Sequence, residues 1–109
     1  MLPDIDSVTD IITEIATSII LPRFKSLAVH EVMEKNAGDL VTIADLEAER
    51  LLEKRLTDLA PGTVVVGEEA VHNDEKILKR LDGEAPVWIV DPVDGTANFA
   101  AGNPTFGCV

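Results

Sequence analysis

Cysteine is almost missing from this 109-residue chain. Cys108 stands alone, so no intrachain disulfide can form and a reducing compartment is the natural setting. Its expected role is that of a small buried hydrophobe rather than a catalytic thiol. Basic residues are also scarce, with nine Lys and Arg against twenty Asp and Glu and a net charge of −11. Such a surface repels nucleic acid phosphates, which argues against nucleic acid as a partner. A phosphorylated small molecule would need a cation or a cluster of backbone N–H groups to approach it. Long apolar runs are lacking too. The opening Met1-Leu2-Pro3-Asp4-Ile5-Asp6 is acidic where a signal peptide is basic, and Glu14 interrupts the apolar stretch behind it. A cytoplasmic protein with no membrane span is expected. Internal repeats, linkers and low-complexity segments are absent.

What is present is a composition of 46% hydrophobic and 27% charged residues, enough for one packed core, in a length too short for two. Ile5, Val8, Ile11, Ile12, Ile15, Ile19 and Ile20 recur at helical spacing behind Asp4, Asp6 or Ser7 as openers. Pro22 should bend or end this first helix, although Phe24 and Leu27 would suit a continuation. From Val29 to Ile43 the pattern is two extended segments around a turn at Lys35-Asn36-Ala37-Gly38-Asp39. Thr42 stands three residues before Asp45, a capping-box spacing, ahead of Leu46, Leu51, Leu52, Leu56 and Leu59; this second helix should stop at Pro61-Gly62.

Thr63-Val64-Val65-Val66 reads as a buried strand ending at Gly67-Glu68-Glu69. A short polar helix and loop should fill Asn73 to Gly83. Pro86-Val87-Trp88-Ile89-Val90 then reads as a second buried strand running into Asp91, and Phe106-Gly107-Cys108-Val109 as the start of another.

Two strands thus deliver carboxylates at their carboxyl ends, Glu68 and Glu69 from one, Asp91 and Asp94 from the other, at the edge where open α/β sheets bind ligands. If the strands are neighbours, carboxylates about 4 Å apart repel by about 4 kcal/mol at an effective dielectric near 20, so a cation is called for. Hard oxygen donors suit Mg2+, with Mn2+ the alternative. In Asp91-Pro92-Val93-Asp94-Gly95-Thr96, Pro92 stiffens the turn so that two carboxylates and the Val93 carbonyl can converge, and Gly95 lets backbone approach a ligand. A helix or turn opening at Gly95 and Thr96 would offer N–H groups as a phosphate seat. Metal ions beside a phosphate seat point to phosphoryl hydrolysis.

Gly67-Glu68-Glu69, followed by Trp88-Ile89-Val90-Asp91-Pro92-Val93-Asp94-Gly95-Thr96-Ala97-Asn98-Phe99, closely resembles the two amino-terminal motifs of the inositol monophosphatase family, and Leu40-Val41-Thr42-Ile43-Ala44-Asp45 resembles a third family segment. The resemblance implies an α+β fold, a layered α/β sandwich of the sugar-phosphatase type with a mixed or antiparallel sheet. Residues 1–109 would be the amino-terminal part of a single such domain, the carboxyl-terminal part lying outside the chain. It implies a magnesium-dependent phosphomonoester hydrolase acting on a sugar or polyol phosphate such as inositol monophosphate, by in-line attack of metal-activated water. By the same resemblance Glu68, Asp91 and the Val93 carbonyl bind one metal, and Asp91 and Asp94 share a second. Glu68 and Thr96 orient the water, Asp45 hydrogen-bonds Thr96, and Gly95, Thr96 and Asp94 face the substrate. Lys35 falls in a loop that approaches the metals in relatives. Lithium inhibition and a homodimer of the full-length protein are also implied.

Other readings compete. Histidinol phosphate or a nucleotide bisphosphate could be the substrate, and a truncated, non-catalytic metal-binding fragment of the same fold is a rival of another class. Aspartyl-nucleophile hydrolases carry a similar motif, but their nucleophile lies two residues before the second aspartate, where this chain has Pro92. His30 and His72 lack partners at metal-ligand spacing, and Trp88 should pack in the core. Glu69 is divided evenly between a site role and a structural one, either exposed or holding neighbouring backbone, and Lys35 leans to a turn role. Glu47 and Glu49 read as the solvated face of the second helix.

Overall fold

The computed structural model describes residues 4–25, 32–36 and 39–109. Helix α1 spans Ile5–Ile15, with Asp4 as N-cap accepting from the Asp6 N–H at 3.4 Å. Ile11 and Ile15 are buried, but Ile5 is 76% exposed: the first turn of the helix runs out beyond the core it was expected to join. The helix widens into a π-helical turn at Ala16–Ile20 and tightens into a 3-10 turn at Leu21–Arg23. Pro22 lies within that turn, and Phe24 is extended, so the helix ends rather than continues. Leu27, Val29 and His30 lie outside the described residues.

Strands β1 (Val32–Asn36) and β2 (Asp39–Thr42) form an antiparallel ribbon whose register shifts between Glu34 and Asn36. Lys35, Asn36 and Asp39 therefore belong to strands, not to the turn assigned to them, and Ala37 and Gly38 lie outside the described residues. The backbone of Lys35 is in β1; its side chain is outside the described part.

Helix α2 spans Ile43–Leu59 behind the expected capping box, Thr42 and Asp45 each bonding the other's backbone N–H. Its buried face is Ala44, Asp45, Ala48, Glu49, Leu52 and Leu56. Two alanines and two acids stand where leucines were expected to dominate, and Leu46, Leu51 and Leu59 are only half-buried. Small residues let the neighbouring elements pack close to the helix. Glu47 is not simply solvated: it takes two hydrogen bonds from Arg23, at 2.5 and 3.1 Å. An ion pair this exposed adds at most about 1 kcal/mol.

Strand β3 (Val64–Gly67) runs directly into helix α3 (Glu68–Asn73), which is followed by a 3-10 helix at Glu75–Asp82. Arg80 ties that segment back by donating to the Val65 carbonyl at 2.7 Å. Strand β4 (Val87–Val90) lies parallel to β3, with Gly67 opposite Val90. β4 was expected to be buried, yet Ile89 is 73% exposed, because no described element covers that face. Trp88 packs partly buried against the core, its Nε1 donating to Thr63 Oγ1 at 3.1 Å. Helix α4 is short, Thr96–Ala100.

The fold is α+β. The expected mixed or antiparallel sheet resolves into one antiparallel ribbon and one parallel pair, and the parallel pair gains an antiparallel neighbour just past its end. Asp91 exchanges both backbone hydrogen bonds with Val109, at 2.7 and 2.8 Å, and Asp94 both with Gly107, at 2.7 and 3.0 Å. The core joins Ile11, Ile15 and Ile20 to Leu52, Leu56, Val65, Val90, Val93 and Phe99. Phe99 is fully buried, worth about 1.5–3 kcal/mol for such a side chain. Its ring meets Phe106 edge-on at 4.9 Å and Phe24 at 5.8 Å, which fixes α4 beneath the returning segment.

Candidate functional site

Parallel pairing in the register Gly67 to Val90 brings the carboxyl ends of β3 and β4 level. The next residues, Glu68 and Asp91, thus leave adjacent strands spaced about 4.8 Å apart. Their carboxyl groups meet, the Asp91 side chain hydrogen-bonding that of Glu68. Burial, then the hydrogen bond and charge of Glu68, then the charges of Asp94 and Asp45, push the Asp91 carboxyl up from 3.8 to about 7. Asp91 Oδ1 is buried with no hydrogen-bond partner, an expensive state for a carboxylate.

The loop Asp91–Asp94 is held rigidly. Pro92 and Val93 are buried, and the paired bonds to Val109 and Gly107 grip it at both ends. Asp94 is exposed. Gly95 adopts φ +90°, and a Cβ there would lie 3.0 Å from the Thr105 carbonyl oxygen. The close backbone approach that glycine permits is therefore to the chain's own returning segment.

Asp45 is fully buried and satisfied on both oxygens. Oδ2 accepts the Thr42 N–H at 2.9 Å and the Thr42 hydroxyl at 2.6 Å, and Oδ1 accepts the Thr96 hydroxyl at 2.8 Å. Thr96 Oγ1 also lies 3.0 Å from the Val93 carbonyl oxygen. A hydroxyl has one proton, and the charged acceptor is the stronger. With that proton committed to Asp45, Thr96 Oγ1 is left as an acceptor.

Glu68, Asp91, Asp94, Val93, Asp45, Thr96 and Gly95 are thus drawn to one end of the parallel pair and the start of α4. Among the described residues, no three acidic, histidine or cysteine side chains are gathered closely enough to hold an ion as they stand. The chemistry of the donors nevertheless fits a hard divalent cation: all are oxygens, two carboxyl groups are in contact, and one buried oxygen lacks a partner. A cleft of about 290 Å³ opens beside Glu68 and Asp91, walled by Val66, Val71, Ile89 and Val109. His72 is exposed at the end of α3, and Cys108 is a half-buried free thiol whose pKa is raised by burial and by Asp91.

Glu49 was misread. It is 6% exposed, and its two oxygens accept the N–H groups of Glu69 and Ala70, each at 2.8 Å. Glu69 is likewise buried, which removes the exposed reading of that residue. The available signal for Glu49 was its place one helical turn beyond Asp45.

The fold and the site define an α+β chain with an acid-bearing strand end set against a Gly-Thr helix start. Residues 4–109 match the inositol monophosphatase family, and the chain belongs to that family. It is 33% identical over 107 residues to an uncharacterised protein of Sinorhizobium fredii, covering 95% of this chain and 36% of that one. It is 41% identical over 68 residues to the inositol-1-monophosphatase of Mycobacterium leprae, covering 62% and 23%. Among solved structures, the Thermotoga maritima IMPase superposes with a TM-score of 0.68 at 25% identity, over 93% of this chain and 35% of that one. The SuhB extragenic suppressor protein of Bartonella henselae superposes at 0.69, also at 25% identity, over 93% and 36%. The chain spans about a third or less of the length of these relatives. Among the described residues, no helix is long and apolar enough to cross a membrane.

Proposed function

We propose that this chain is the amino-terminal part of a magnesium-dependent phosphomonoester hydrolase of the inositol monophosphatase family, one that releases phosphate from a sugar or polyol phosphate such as inositol monophosphate. The observation that carries the reading is the meeting of Glu68 and Asp91 beside a buried, unpartnered Asp91 oxygen, next to a Thr96 hydroxyl already donating to Asp45. The names of the inositol monophosphatases among the relatives support the substrate class.

Glu68, Asp91, Asp94 and the Val93 carbonyl would hold the magnesium ions, which would neutralise the phosphate oxygens and acidify a water. Glu68 would take a proton from the attacking water. Thr96 Oγ1, its own proton fixed on Asp45, accepts the second hydrogen bond and so sets the water's orientation. The water oxygen would attack phosphorus in line as the ester P–O bond breaks, the departing alkoxide taking a proton from solvent and Glu68 returning its own to solvent. The N–H groups of Gly95 and Thr96 would receive a phosphate oxygen, so the negative charge on the phosphoryl oxygens is met by donors that need no rearrangement. Loop Asp91–Asp94, gripped at both ends, keeps these groups in place between turnovers. A cytoplasmic homodimer inhibited by lithium completes the proposal.

The test is phosphate release from a panel of inositol, histidinol, fructose and nucleotide phosphates by the complete protein, with and without magnesium. Release from inositol monophosphate only when magnesium is added is expected. Release that is independent of divalent cations would overturn the reading.

A further inference from the structure

Glu49 does something that its own surroundings do not require. The first N–H groups of any helix lack partners within it, and an N-cap side chain ordinarily supplies them. In α3 the N-cap is Gly67, which has no side chain to offer. The partner arrives from twenty residues upstream: Glu49 Oε1 takes the Glu69 N–H and Oε2 the Ala70 N–H, each at 2.8 Å. Gly67 is the condition for this. A Cβ at that position would lie 2.3 Å from Glu49 Cδ and 2.6 Å from Oε1, so any other residue would expel the carboxylate.

Glu68 sits between Gly67 and the two residues that Glu49 grips. The backbone turns there from β3 into α3, and that turn sets where the Glu68 side chain leaves the chain. One helical turn earlier on α2, Asp45 holds Thr96. Consecutive turns of one helix therefore fix both groups assigned to the water, and residues four apart share a helix face.

We infer that Glu49 is a positioning residue for Glu68, acting through the backbone N–H groups of Glu69 and Ala70; this rests on the function proposed above. Helix α2 then works as a gauge bar, setting the distance between the carboxylate and the hydroxyl that flank the reacting water. Burial pushes the Glu49 pKa above its ordinary value, the bonds from the Glu69 and Ala70 N–H groups pull it partway back, and the charges of Glu68 and Glu53 add to the rise.

The experiment uses the complete protein with Glu49→Gln, Glu49→Ala and Gly67→Ala. Turnover is measured at 25 °C on protein shown to be folded by circular dichroism, and Mn2+ affinity by calorimetric titration. Glu49→Gln keeps the shape but replaces one acceptor with a donor facing an N–H. It should lower kcat at least tenfold with KM within threefold, and weaken Mn2+ binding at least fivefold. Gly67→Ala should reproduce this in the wild-type background and add nothing to Glu49→Ala, since the clash is then gone. A role confined to stability predicts lower melting temperatures with kcat and Mn2+ affinity unchanged, and that result would overturn the inference. If Glu49→Ala fails to fold, Glu49→Gln and Gly67→Ala alone decide it. Wild-type protein that binds Mn2+ but releases no phosphate would sink the proposed function, while the Mn2+ ratios still judge Glu49. Wild-type protein that binds no Mn2+ overturns both.

Discussion

The carboxyl groups of Asp91 and Glu68 stand together at the level ends of two parallel strands, and burial and the neighbouring Glu68 favour a proton on Asp91. Because the folded Asp91 pKa is raised, from 3.8 to about 7, the fold favours its neutral form. The associated stability is fully present below pH about 4 and is lost as pH rises through about 7. Metal-free protein should therefore melt at a lower temperature at pH 8 than at pH 6, and Asp91→Asn should flatten that decline. Scanning calorimetry at the two pH values checks it; an unaltered slope in the variant would contradict the assignment. The same substitution should reduce magnesium-dependent phosphate release at least a thousandfold, since it removes the carboxylate proposed to serve both metals.

Glu68→Gln keeps the side chain's length but not its basicity. If Glu68 takes the proton of the attacking water, kcat should fall a hundredfold or more with KM changed less than threefold. Steady-state kinetics on the complete protein distinguish this from a defect confined to KM, which would point to substrate binding instead.

Asp45 divides its oxygens between Thr42 and Thr96, so the two threonines should fail differently. Thr42→Val removes a helix cap and should cost about 1–2 kcal/mol of stability. Thr96→Val leaves the buried Asp45 Oδ1 without its donor, so it should cost about 1–3 kcal/mol of stability and in addition lower kcat a hundredfold or more, while Thr96→Ser should retain most of both. Urea denaturation and kinetics on the same preparations separate the two effects.

Gly95→Ala must place a side chain at φ +90° with its Cβ 3.0 Å from the Thr105 oxygen. A loss of about 1–3 kcal/mol is expected, read as a lower urea midpoint. An unchanged midpoint would mean that the returning segment is not packed against this turn.

Much of the architecture could be read in advance because its signals are local. Thr42 and Asp45 announce the start of α2 by spacing alone, and Pro61-Gly62 its end. The β-branched run before Gly67 and the apolar run before Asp91 mark strands that stop in acid. What escaped depends on distant partners. Glu49 resembles any helical acid until the start of α3 is brought against it, and nothing near Glu49 reports that approach. Ile5 continues a perfect apolar stripe, yet the stripe outruns the core. Ile89 alternates correctly within β4 but faces away from every described layer. The parallel pairing of β3 with β4, which sets Glu68 beside Asp91, arises from how the connecting segment packs. For the candidate site, the motif proposed the residues, and the tertiary fold alone set the contacts between them.

The two halves of the Asp45 carboxylate differ in reach: Thr42 is three residues away and Thr96 fifty-one. Closing a longer loop costs more chain entropy, so the near bond can form with the nascent helix while the far one waits for both strands to dock. Substitutions at Thr42 should then slow refolding, and those at Thr96 should mainly hasten unfolding, in stopped-flow chevron measurements. The Thr96 hydroxyl is the last recruit to an acid already in post.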